Sequence, residues 1–110
     1  MANVLSISTD LMLGSKVEAQ LSAAGHGVTT SASIEESTWE GKDLIVADLD
    51  VENPGALVGL GMPVLGYYSH VDVETRKAAE AAGVDLVVPR SRMARELPEL
   101  AGKLLGDGSG

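Results

Sequence analysis

The sequence predicts an α/β protein, a three-layer sandwich in which helices cover both faces of a five-stranded parallel sheet of order 2-1-3-4-5. Three observations predict it. Apolar runs of four to six residues alternate with longer segments of helical period, the pattern of parallel strands joined by helical crossovers. Hydrophobic residues make up 45% of the chain but aromatic ones only 3%, so the core must be aliphatic, which suits layered packing better than an aromatic-rich β-sandwich. At 110 residues there is material for one core and not two.

The first strand is NVLSIS, Asn3 to Ser8. It leads into LMLGSKVEAQLSAAG, where Leu13, Val17, Leu21 and Ala24 share one helical face and Gly25 is the stop signal. HGVTTSAS reads as a short second strand, and IEESTWEGK is too polar and short for more than a weak turn or two. DLIVADL is the third strand. Its crossover, DVENPGALVGLG, carries Pro54 and three glycines, so any helix there should be short. PVLGYYS, Pro63 to Ser69, is the fourth strand, HVDVETRKAAEAAG a helix ended by Gly83, and VDLVVP the fifth strand, stopped by Pro89. RSRMARELPELAGKLLG reads as a last helix whose clearest start puts Pro98 in the first turn, where the missing donor is not needed. The expected division is one domain, 1–105, and a flexible tail, 106–110.

A doubly wound, flavodoxin-like sheet of this order binds ligands beyond the carboxyl ends of its strands, where strand order reverses. That point lies between the first and third strands, which brings forward Ser8, Thr9 and Asp10 on one side and Asp48, Leu49 and Asp50 on the other. Asp48 follows the apolar run Leu44 to Ala47 and leaves the core at this edge. An acid there can accept a phosphoryl group or ligate Mg²⁺, or it can simply end the strand by bonding to nearby backbone amides.

Several function classes are disfavoured. Sixteen acidic against eight basic residues give a net charge of −8, which repels nucleic acid. The absence of cysteine removes disulfides, thiolate metal sites and cysteine nucleophiles. No apolar run approaches the ~20 residues of a membrane span, and MANVLSIST lacks a basic signal start, so a cytoplasmic protein is expected. Ser69 and His70 are sequence neighbours, which rarely point at each other, and no nucleophile elbow surrounds them; His70 reads as the start of the fourth helix. His26 falls in a turn, and two distant histidines make no zinc site. The glycines of NPGALVGLG lack the spacing and lysine of a phosphate loop. Trp39 reads as a cover for one end of the core, or else as a partner anchor. Arg90, Arg92 and Arg95 form a basic cluster: a solvated face, a dock for an acidic partner, or a holder of an anion near the strand ends.

Taken in order, DLIVADLD, AAGHGV, MPVLGYYSH and AAEAAGVDLVVPRS resemble segments of the receiver domain of two-component response regulators, a CheY-like family, over Asn3 to about Leu105. The resemblance implies that Asp48 stands where that family accepts phosphate. It also implies that Ser8 and Thr9 stand where two adjacent acids hold Mg²⁺, Tyr68 where a switch serine or threonine sits, with Ser69 next to it, and Arg90 where a lysine pairs with the phosphoryl group. Val87 takes the place of an aromatic switch, and Ser91 that of a cis-proline. Hydroxyls cannot strip water from Mg²⁺ as carboxylates do, and the aspartyl phosphate reaction leans on that metal. The expectation is therefore an atypical or pseudo-receiver, not an enzyme, with no cofactor or only weakly bound Mg²⁺ at Asp10, Asp48 and Asp50. It would act through a protein partner on the face of the fourth helix, fifth strand and last helix, or as a homodimer. The alternatives are a true phosphoacceptor served by a histidine kinase, and a small-ligand binder of flavodoxin-like fold.

Overall fold

The computed structural model describes residues 2–69 and 73–106. His70 and most of the expected tail lie outside them. Five strands form one sheet of order β2-β1-β3-β4-β5: β1 (Asn3–Ile7), β2 (Gly27–Ser31), β3 (Leu44–Asp48), β4 (Val64–Tyr68) and β5 (Leu86–Pro89). All four pairings are parallel. The helices are α1 (Leu11–Ala23), α2 (Pro54–Val58), α3 (Val73–Ala82) and α4 (Arg90–Leu105).

Period-two alternation divides each strand's side chains between two layers. Val4, Leu44, Val46, Leu65, Tyr67 and Val88 pack with Leu13, Val17 and Leu21 of α1 and with Met93, Leu97, Leu100 and Ala101 of α4. Leu5, Ile7, Ile45, Ala47 and Val64 pack on the other face with Leu57 of α2, and with Ala79 and Val84. β3 and β4, central and covered on both faces, are buried at every position, which is why LIVA and VLGYY read as unbroken apolar runs. Each fully buried Leu or Ile contributes about 1.5–3 kcal/mol. The half-buried Trp39 packs against the second layer, the role of a core cover.

Between β2 and β3 the polar segment forms turns and no helix, as its composition predicts, with Ser37 Oγ donating to the Ile34 carbonyl at 2.6 Å. Two helices differ from their sequence-based expectation. Ala24 is the exposed cap of α1 and not part of its buried face, which is Leu13, Gly14, Val17 and Leu21. The last helix starts at Arg90, well before Pro98. Glu96, at φ −120° and ψ 16°, interrupts it, because the proline ring two residues on clashes with the preceding turn and offers no N–H. Pro98 thus opens the second segment only.

The short α2 follows its sequence: Asn53 Oδ1 caps it by accepting from Gly55 N at 2.8 Å and Ala56 N at 3.3 Å, with Pro54 first in the helix. Gly25 and Gly83 follow α1 and α3 at φ 94° and 98°, left-handed conformations that a side chain would oppose. Among the described residues no helix is long and apolar enough to cross a membrane.

Candidate functional site

The register brings the carboxyl ends of four strands together. Ile7 of β1 pairs with Ala47 of β3, Asp48 with Tyr67 of β4, and Tyr68 with Pro89 of β5. Asp48 and Tyr67 therefore stand side by side at the sheet's carboxyl edge, with Ser8 one residue beyond the Ile7–Ala47 pair and Arg90 one residue beyond the Tyr68–Pro89 pair. Thr9 and Asp50 are exposed, as is Ser69.

Asp48 ends β3 with only 6% of its surface exposed. Burial raises its carboxyl above the usual aspartate range; the Asp50 N–H, donating to Oδ1 at 2.9 Å, opposes that, and the Asp50 charge adds to it. Asp50 in turn accepts from Ser69 N at 2.9 Å through Oδ2. A relay of two carboxylates thereby ties the turn after β3 to the end of β4.

Asp10 is committed elsewhere. Its Oδ1 caps α1 by accepting from Met12 N at 3.0 Å and Leu13 N at 3.1 Å, and its Oδ2 is held by Arg90 Nη2. The Leu13 amide first and the Arg90 guanidinium second pull the Asp10 carboxyl below its ordinary value. Ser8 supports the same turn, its hydroxyl accepting from Asp10 N at 3.1 Å. The pair spans 80 positions of chain and was not legible in the sequence, which offered Asp10 as a metal ligand and Arg90 as a phosphoryl partner.

These donors do not fit Mg²⁺. The ion favours near-octahedral oxygen coordination with carboxylate charge to offset dehydration. Both Asp10 oxygens are occupied, Ser8 and Thr9 bring no charge, and Asp50 uses one oxygen to hold Ser69. No group of three or more acids and histidines able to share a metal occurs among the described residues.

Tyr67 is the residue that sequence reasoning missed. It is wholly buried, and its hydroxyl has no well-formed hydrogen bond among the described residues, with the Ser8 hydroxyl its polar neighbour. Burial pushes the phenol up to about 12. Strand alternation carried the signal: Tyr67 faces the same layer as Val46, two residues before Asp48, so it shares the face and the register position of the acid. Tyr68, where the switch hydroxyl was expected, is 8% exposed. Val87 is half-buried. The basic cluster is divided, because Arg90 pairs with Asp10 while Arg92 and Arg95 both reach Glu96, each at 3.4 Å.

No family profile matches the sequence, and no curated protein is similar to it at a significant level. Solved structures are similar in shape. A receiver domain protein from Clostridium thermocellum superposes with a TM-score of 0.83 at 15% identity, covering 99% of this chain and 98% of its own. A CheY-like receiver domain protein from Methanospirillum hungatei gives 0.84 at 18%, covering 97% and 95%. The Vibrio cholerae chemotaxis protein CheY4 gives 0.79 at 19%, covering 96% and 99%. With its parallel sheet of order 2-1-3-4-5 and a layer of helices on each face, the chain has the fold of the CheY-like receiver domains of response regulators.

Proposed function

We propose that the protein is an atypical receiver-type signalling module that works by protein contact, with phosphoacceptor chemistry at Asp48 lost or much weakened. One observation carries this reading: Arg90, the cation beside the strand ends, is bound to Asp10, and Asp10 also caps α1. Phosphoryl transfer to a carboxylate needs positive charge placed against the transferring oxygens. Here the guanidinium is already shared and the donor set does not suit Mg²⁺.

The surface proposed for docking is α3, β5 and the start of α4. β5 is the edge of the sheet, with Leu86 and Val87 only half-buried, and α3 buries Ala79 alone. A protein partner or a second copy of the chain would cover that edge, in the way exposed strand edges are commonly covered.

A phosphoacceptor fed by a histidine kinase is the competing reading, favoured by the position of Asp48 at the end of β3. One titration decides between them. Uniformly labelled protein receives millimolar Mg²⁺ with beryllofluoride, and separately with acetyl phosphate, while amide resonances are followed by NMR. The expected result is no saturable shift around Asp48. Saturable shifts there that disappear in Asp48→Asn would establish the phosphoacceptor instead.

A further inference from the structure

We propose that the cleft between the first turns of α1 and α4 binds a small amphipathic organic anion, an apolar body bearing one carboxylate or sulfonate. The cleft holds about 680 Å³, within the range of about 300–1,000 Å³ typical of small-molecule sites. Its walls are Met12, Leu13, Tyr68, Pro89 and Ala94, and its polar groups include Lys16, Arg90 and Ser91. Asp10 also lines it, whereas Asp48, Ser8 and Tyr67 do not. An occupant would lie against the Asp10–Arg90 pair without touching the strand-end aspartate, although it would share Arg90, Tyr68 and Ser69 with the positions expected to surround a phosphoryl group.

Charge specifies the ligand. The chain carries −8 overall, yet this cleft holds two cations and a single carboxylate. That carboxylate is taken by Arg90, which leaves the charge of Lys16 unmatched: it has no ion-pair partner among the described residues. Arg90 presents a planar fork with several donors, and only Nη2 is engaged with Asp10. α4 also begins without a side-chain cap, since Pro89 supplies none.

The walls specify the rest. Met12 is 84% exposed, a flexible and polarisable side chain able to fold over an apolar body. Inorganic phosphate would leave most of that volume and its apolar walls in contact with water. A neutral hydrophobe would cover the walls and leave the charge of Lys16 at the cleft unmatched. An anion with an apolar body satisfies both requirements.

The probes are 8-anilinonaphthalene-1-sulfonate and its neutral relative N-phenyl-1-naphthylamine, added to the intact chain at neutral pH. Fluorescence measures affinity and amide shifts locate the site. The expected result is saturable 1:1 binding of the sulfonate, with shifts at Lys16, Ser69 and Ser91 and weaker binding of the neutral probe. Lys16→Glu should weaken the sulfonate by roughly fivefold to tenfold while leaving the neutral probe unchanged, and Met12→Asp should weaken both. Both positions are exposed, and far-ultraviolet circular dichroism verifies that the variants fold. No saturable signal, shifts clustered away from the cleft, or equal affinity for both probes with no response to Lys16→Glu would overturn the proposal.

Discussion

Asp48, the last residue of β3, and Asp10, the cap of α1, both lie at the carboxyl edge of the sheet and are pushed in opposite directions, with opposite consequences for stability. Burial raises Asp48. Between the unfolded value of about 3.8 and its higher folded value, the native state holds more protons than the unfolded chain, so stability declines as pH rises through that window. Asp10 is depressed by the Leu13 amide and Arg90; its contribution is present above about 3.8 and is lost as pH falls through its folded value. Asp48→Asn retains an oxygen for the Asp50 amide and removes the buried charge. It should raise the melting temperature at pH 7, with the gain shrinking as pH approaches the unfolded aspartate value. Thermal melts of both proteins across that range test it, and an Asn variant no more stable at pH 7 would show that burial is not the dominant influence on this carboxyl.

At the scale of elements, β3 and β4 were legible because strands covered on both faces leave unbroken apolar runs. α1 was legible from Leu13, Val17 and Leu21. The start of α4 was not: Pro89 precedes it with no side-chain cap, so the usual Ser, Thr, Asp or Asn signal is absent, and Pro98 drew attention to the later segment. Of the site, strand order was enough to place Asp48 at the edge. The Asp10–Arg90 pair and the unpartnered Tyr67 hydroxyl depend on side chains that meet only after the layers close, and no local pattern encodes them. Gly66 also explains itself only in three dimensions. A Cβ there would lie 2.8–2.9 Å from Cγ and both methyls of Leu49, a buried side chain folded across the middle of β4. Gly66→Ala should therefore destabilise the protein by about 1–3 kcal/mol, and the loss should largely disappear in a Leu49→Ala background. Urea denaturation of the two single variants and the double variant measures this coupling.

For the molecule as a whole, the two ends of the sheet differ. The exposed large apolar residues among those described, Leu11, Met12, Val51 and Val73, all follow the carboxyl ends of strands, at the end where Asp48 lies. Near neutral pH a charge of −8 holds copies apart. As pH falls toward the isoelectric point of about 4.5, that repulsion fades and association through this end should grow. Light scattering should rise over that interval and rise less for Leu11→Ser with Met12→Ser; an unchanged rise would assign the association to another surface.

The turn that follows β3 bears on why an acid stands at its start. Asp48 orients the Asp50 amide, Asp50 holds Ser69, and Leu49 between them fits the hollow left by Gly66. Folding alone has a use for an accepting oxygen at position 48, because it shapes a corner of the molecule whether or not the side chain ever reacts. Folding and reactivity thus make separable demands on this position: the corner needs an oxygen that accepts from the Asp50 amide, which an asparagine would also supply, whereas phosphoryl chemistry needs the carboxylate.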